Sequence, residues 1–201
     1  MTKTKTRKRW KLFAGMAALV MVLASFMAMP VQAVDTTVTV GLVSGGLVLR
    51  TVPDMNFGTA NTISTSTLNL SPADTLDYII KVEDLRGGAA ATGWNLTVNL
   101  DTFACATVVS DSLPGANLTI STASVVTTDT ANPAVAATGV TLTSGGSPVK
   151  VLHAEATKGL LENTCTWGLA DVKLNIPASG THVPETHTAN LVWTLTDGPG
   201  T

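Results

Sequence analysis

Apolar and polar residues alternate with a period of two through most of this chain, while no stretch after the first thirty residues keeps a helical spacing. Three runs show the alternation most clearly. In the first, Leu76, Tyr78, Ile80 and Val82 alternate with Asp77, Ile79, Lys81 and Glu83. In the second, Trp94, Leu96, Val98 and Leu100 alternate with Asn95, Thr97, Asn99 and Asp101. In the third, Ala189, Leu191, Trp193 and Leu195 share one face. Each spacing predicts a half-buried strand, and the glycine-rich passage from Asp84 to Gly88 between the first two predicts a hairpin.

Shorter alternating pieces predict strands at Thr36 to Val40, Leu47 to Leu49, Leu118 to Ile120, Val140 to Leu142 and Val149 to His153. The Thr- and Ser-rich run from Asn61 to Asn69 reads as a surface strand or loop. Ser121 to Ala137 reads as a long loop or weak edge strand, and residues 154–163 have room for a helical turn. Cys165, Trp167 and Leu169 have one parity, whereas Val172, Leu174 and Ile176 have the other. That switch predicts a bulge or bend. About nine or ten short strands result, the pattern of a single all-β antiparallel domain, sandwich or barrel-like.

The N-terminus changes the picture of where the chain works. Lys3, Lys5, Arg7, Lys8, Arg9 and Lys11 precede an uncharged apolar run from Leu12 to Met29, and Val31 and Ala33 offer small residues for cleavage. Residues 1–33 therefore read as a secretory signal peptide and residues 34–201 as the β domain. The competing reading is an uncleaved anchor, since about 18 apolar residues can just span a bilayer. Six of the twelve basic residues lie in the leader and all fourteen acidic ones follow it. The mature chain thus sets six basic residues against fourteen acidic ones, a formal −8. Such a balance gives no electrostatic footprint for nucleic acid or an anionic membrane. No cysteine directly follows the apolar run as a lipid-attachment site, and no second apolar segment or basic tail appears at the C-terminus, so retention at a cell surface is expected to be non-covalent.

Cys105 and Cys165 are the two cysteines. In an exported chain an isolated pair is most simply a disulfide, closing a loop worth on the order of 4 kcal/mol in the chain-entropy model. Two buried thiols are the alternative. His153, His182 and His187 show no ligand spacing with the cysteines, so neither a metal site nor a cofactor is expected. The carboxylates fall in no catalytic motif, Ser110 to Ser112 has no nucleophile-elbow context, and no calcium-loop spacing surrounds Asp74 or Asp77. No enzymatic activity is expected.

Two Trp-x-Leu triplets stand out, Trp94-Asn95-Leu96 and Trp193-Thr194-Leu195. Residues i and i+2 of a strand share a side, so the Trp and Leu of each triplet point together. On one reading all four are core, each Trp burying about 200 Å². On the other they are aromatics exposed in a binding groove, for instance for sugars. Spacing leaves both open.

The triplets also carry a resemblance. Gly93 to Val98 (Gly-Trp-Asn-Leu-Thr-Val), preceded by Val82 to Gly87 (Val-Glu-Asp-Leu-Arg-Gly), resembles the first block of the WxL-domain surface proteins. Asn190 to Pro199 is similar to their C-terminal block, and Asn56-Phe57-Gly58 to an early Phe-Gly segment. The resemblance spans residues 36–199. It implies a secreted protein of Gram-positive-type bacteria, held non-covalently to peptidoglycan in the cell wall. It also implies partnership with other surface proteins in a complex, with some members taking part in adhesion. The acidic mature chain and the lack of a second apolar segment, separately, predict no membrane contact after signal cleavage. The cysteine pair and the lack of a large N-terminal adhesive region depart from the pattern, as a small member would. The rival reading is a pilin-like structural subunit of an extracellular assembly, favoured by a Thr- and Ala-rich all-β chain with strand edges to offer.

Overall fold

A computed structural model of the chain describes residues 39–105, 107 and 111–199. The expected leader and the start of the strand expected at Thr36 lie outside the described residues, and Thr39 and Val40 carry no strand. Strands β1 (Leu47–Thr51), β2 (Leu68–Leu70), β3 (Tyr78–Asp84), β4 (Trp94–Leu100), β5 (Ala104–Cys105), β6 (Asn117–Ile120) and β7 (Ser124–Thr127) form the first half. Then follow β8 (Val135–Ala136), β9 (Val140–Thr143), β10 (Val149–Ala154), β11 (Leu161–Trp167), β12 (Val172–Ile176), β13 (His187–Thr188) and β14 (Leu191–Asp197). A single turn of 3-10 helix, Leu169–Asp171, joins β11 to β12.

The strands make four antiparallel sheets. Three have four strands, in the orders β1-β3-β11-β7, β14-β4-β10-β8 and β2-β12-β6-β9, and the fourth is the ribbon β13-β5. The architecture is all-β, and none of the sheets closes into a barrel. The alternation in the sequence becomes alternation of burial. Tyr78, Ile80 and Val82 of β3 face inward with Trp94, Leu96, Val98 and Leu100 of β4, and Leu118, Ile120, Val172 and Leu174 come from the third sheet. In β10 the pairing with β4 slips between Lys150 and Leu152. That bulge lets two consecutive residues, Val151 and Leu152, both enter the core.

Several expectations are corrected. The hairpin between β3 and β4 does not form: β3 pairs with β1 and β11, and β4 with β10 and β14. Leu85 is tied back to Gly45 and Gly46 by backbone hydrogen bonds, which keeps the chain after β3 beside β1 before it turns into the second sheet. The parity switch near Leu169 is a change of sheet: the 3-10 turn lets β11 end in the first sheet and β12 begin in the third. Residues 154–163 hold a turn, Lys158 N–H to the Glu155 carbonyl, and no helix. Of the two readings of Ser121 to Ala137, the edge-strand one holds, with two short edge strands, β7 and β8.

The expected Cys105–Cys165 disulfide is also absent. Cys165 sits mid-strand in β11 between Ile80 and Val125, whereas Cys105 pairs with His187 in the small ribbon. The two positions belong to different sheets. Burial pushes the Cys165 thiol up to about 11, so it stays protonated and behaves as a small apolar side chain.

Candidate functional site

The two triplets lie side by side. β14 runs antiparallel to β4 in a register that sets Leu195 opposite Leu96, Trp193 opposite Val98 and Asp197 opposite Trp94. The pair of leucines lies midway between the two tryptophans, with Trp94 at the end of the ladder and Trp193 two pairs beyond the leucines on the other side. The middle residues, Asn95 and Thr194, turn to the other face, as the period of two requires.

Trp94 is wholly buried, with Leu96 beside it. Its indole Nε1–H donates to the carbonyl of Gly159 at 3.2 Å, and the same carbonyl accepts from Nδ2 of the buried Asn163 at 2.7 Å. A buried indole N–H needs such a partner. Gly159 has φ +63°, and a Cβ there would lie 2.4 Å from the Ala154 Cβ and 3.0 Å from the Trp94 Nε1. Gly93, with φ +87°, is as tightly held: a Cβ would fall 2.5 Å from the Ala154 carbonyl oxygen. Gly159 thus lets backbone close against the indole, and Gly93 lets the start of β4 approach the backbone at Ala154 and Glu155.

The Asp-Leu-Arg-Gly passage before the first triplet is a clamp on the second. Arg86 grips Asp84 with both Nε and Nη2, at 2.9 and 2.7 Å. It also donates Nη2 to the Gly93 carbonyl at 3.0 Å and Nη1 to Asp197. Thr92 donates its hydroxyl to the same Asp197 oxygen. Asp84 is buried, so its charge requires this partner. Hydrogen bonding to Asp84 raises the Arg86 guanidinium further above its usual range. The Thr92 hydroxyl and then Arg86 hold the Asp197 carboxyl below its own. A planar fork suits this work, since it binds two carboxylates and a carbonyl at fixed angles.

Trp193 stands differently. It is half-buried on β14, an edge strand of its sheet. It stacks on the buried Trp167 with ring centroids 5.8 Å apart and planes at 29°. Its other neighbours are the walls of an open cleft of about 730 Å³ whose lining also includes Phe57, Leu100, Phe103, Ile176 and His182. The Phe57 wall is fixed from below. Asp74 accepts from the Asn56 backbone N–H at 2.9 Å and from the Tyr78 hydroxyl at 2.6 Å, and Gly58 N–H bonds to the Asn56 side chain. Of the segments singled out in the sequence, Asn56 to Gly58 and Trp193 line the cleft, and Trp94 lies outside it, at the far end of the β4-β14 ladder.

A further cluster escaped the sequence reading. Asp111 is buried between His182 Nδ1 at 3.3 Å and His187 Nε2 at 3.0 Å, and it accepts the Val183 N–H at 2.7 Å. Burial alone would raise its carboxyl. The Val183 N–H, the two imidazoles and the Leu113 N–H outweigh that and hold it at about 2. The residues are separated by 71 and 76 positions, so no local spacing announced them. His153, on β10, is apart from this cluster, and burial lowers its affinity for a proton. Among the described residues no group of His, Cys, Asp and Glu is arranged to hold a metal ion.

An all-β scaffold with an open, aromatic-lined cleft is the kind of site that holds a ligand by shape and hydrogen bonding. The family model described as "WxL domain surface cell wall-binding" matches residues 28–199, and the chain belongs to that family. The family binds cell wall at the surface and is not a family of enzymes. Among the described residues no helix is long and apolar enough to cross a membrane. Comparison with curated proteins and with solved structures returned no match.

Proposed function

We propose that this chain is a secreted, non-enzymatic surface protein that attaches non-covalently to peptidoglycan through the cleft beside Trp193. The observation that carries this reading is the difference between the triplets: Trp94 is sealed in the core, while Trp193 lines a cleft of about 730 Å³ with Phe57. In this reading Trp94, Leu96 and Leu195 build the fold and Trp193 meets the ligand. A half-exposed indole offers a flat apolar face for a sugar ring, and Asn56, Asn61 and Asn190 in the same lining offer amides for hydroxyl groups. Other surface proteins of one complex are its expected companions, with adhesion as the setting.

The test is co-sedimentation of the purified protein with peptidoglycan sacculi across a salt series. Saturable pelleting that survives high salt is expected, because the lining contacts are short-ranged and a surface-charge mechanism would be screened. A folded protein that never pellets would overturn this reading in favour of the pilin-like subunit, whose mark is self-assembly without wall.

A further inference from the structure

The cleft lining includes a continuous run from His182 to Leu191, and little backbone pairing holds that run. β13 contributes two residues against β5, and the Asn190 carbonyl accepts from Asp101 N–H at 2.9 Å. Leu191 enters β14 opposite Leu100, and a further anchor is Asp111, which takes the Val183 N–H and faces both histidine rings. The three side chains are 3%, 8% and 9% exposed for Asp111, His182 and His187.

Every ring nitrogen in this cluster faces an acceptor. His182 turns Nδ1 to Asp111 and Nε2 to the Pro177 carbonyl at 3.0 Å. His187 turns Nε2 to Asp111 and Nδ1 to the Glu185 carbonyl at 3.1 Å. A neutral imidazole has one N–H and one lone pair, whereas an imidazolium has two N–H groups. A neutral ring here therefore sets a lone pair against an oxygen in a buried place, and a protonated ring donates on both sides. The carbonyls of Pro177 and Glu185 already occupy the outer nitrogens, so the geometry is built for protons rather than for a metal ion.

We propose that Asp111, His182 and His187 form a proton-operated clasp on this wall of the cleft: protonating the rings fastens the His182 to Leu191 run, and deprotonating them releases it. The inference rests on the reading of the cleft as the wall-binding site only for its effect on binding. One protonated ring neutralises Asp111, and a second leaves the cluster at a formal +1. Among the described residues, two further titratable groups lie on these elements: Glu185, whose carboxylate accepts from Thr107, and Cys105, which pairs with His187 in the ribbon. The carboxylate of Asp111 remains ionised far into acid. Fastening thus follows the ring protons: it holds where both rings donate on both sides and is lost where they set a lone pair against an oxygen.

The decisive measurement is hydrogen-exchange protection of the Val183 amide, corrected for intrinsic exchange, at about pH 5.5 and about pH 8. Protection about tenfold higher at the lower pH is expected, the scale of one charge-assisted hydrogen bond. Equal protection at both would overturn the clasp. Nitrogen NMR should find both rings doubly protonated at the lower pH, and a neutral tautomer there would also overturn it. Asp111→Asn should abolish the pH difference; if that variant does not fold, the wild-type pair of measurements decides alone. Sacculus pelleting should strengthen several-fold at the lower pH. A change in protection with no pelleting at either pH keeps the clasp and removes the wall-binding reading. Pelleting with unchanged protection removes the clasp and keeps that reading.

Discussion

The strands β4 and β14 carry the same three-residue pattern and pair with each other, yet they do different work. β4 is an inner strand, with β14 on one side and β10 on the other, and its inward residues are completely buried. β14 is an edge strand whose inward residues are only half-buried. The same indole is therefore a packing element at position 94, hydrogen-bonded to Gly159, and a cleft wall at position 193, stacked on Trp167. A side chain's role follows from how many neighbours its strand has, and a short motif does not contain that information.

The largest effect that sharpens this contrast is Trp94→Ala. It should cost about 3–5 kcal/mol in a denaturant melt, as expected for an aromatic removed from a closed core, and wall binding should disappear with the fold. Arg86→Ala should come next, at about 3 kcal/mol or more, because it strands the buried Asp84 and unlocks Asp197. This variant attacks the contrast itself, since it loosens β14 from the outside while leaving both tryptophans in place. Gly159→Ala, with a positive φ and no room for a Cβ, should cost about 1–3 kcal/mol and shift the fluorescence of Trp94.

Acid gives an effect of similar size on the cleft side. The Asp111 carboxyl is lowered in the folded state, so its contribution is present above the unfolded value and is lost as pH falls toward about 2. That contribution is about 2 kcal/mol, and Asp111→Asn should flatten the acid limb of a stability profile. The smallest stability change is expected for Trp193→Ala, about 1–2 kcal/mol from lost stacking and partial burial. It should nevertheless weaken sacculus binding by tenfold or more while the melt stays cooperative. If Trp193→Ala instead melts like Trp94→Ala, the two strands are equivalent and the cleft reading is lost.

Much of the fold was legible in the sequence. Period-two alternation located β3, β4, β6, β9, β10 and β14, because each puts one face into a shared core. Partner choice was not legible. Asp84 to Gly88 has the glycines of a hairpin, but Leu85 donates its N–H to the Gly46 carbonyl and accepts from the Gly45 N–H, which directs the chain elsewhere. The parity switch after Trp167 was visible, and its meaning as a change of sheet needed the third sheet to be present. The disulfide was expected because chemistry in exported proteins favours it; strand pairing placed Cys105 and Cys165 in separate sheets. Of the site, both triplets and the Asn56-Phe57-Gly58 segment were visible as motifs. The Asp111 cluster was not, since its members meet only through the ribbon β13-β5 and the run before it.

The pairing of β4 with β14 has a consequence for how the molecule reaches its native state. Thr97 and Thr194, which face each other across that ladder, are 97 positions apart, and Arg86 reaches Asp197 over 111. Contacts this distant demand closure of long loops before any stabilisation returns, so folding in milliseconds to seconds is expected rather than microseconds. Until residues 191–197 arrive, one ladder edge of β4 is uncovered beside its most apolar residues. A chain shortened before Leu191 should therefore associate with copies of itself through that edge. The strand that lends Trp193 to the cleft is also the one that covers the ladder edge of β4.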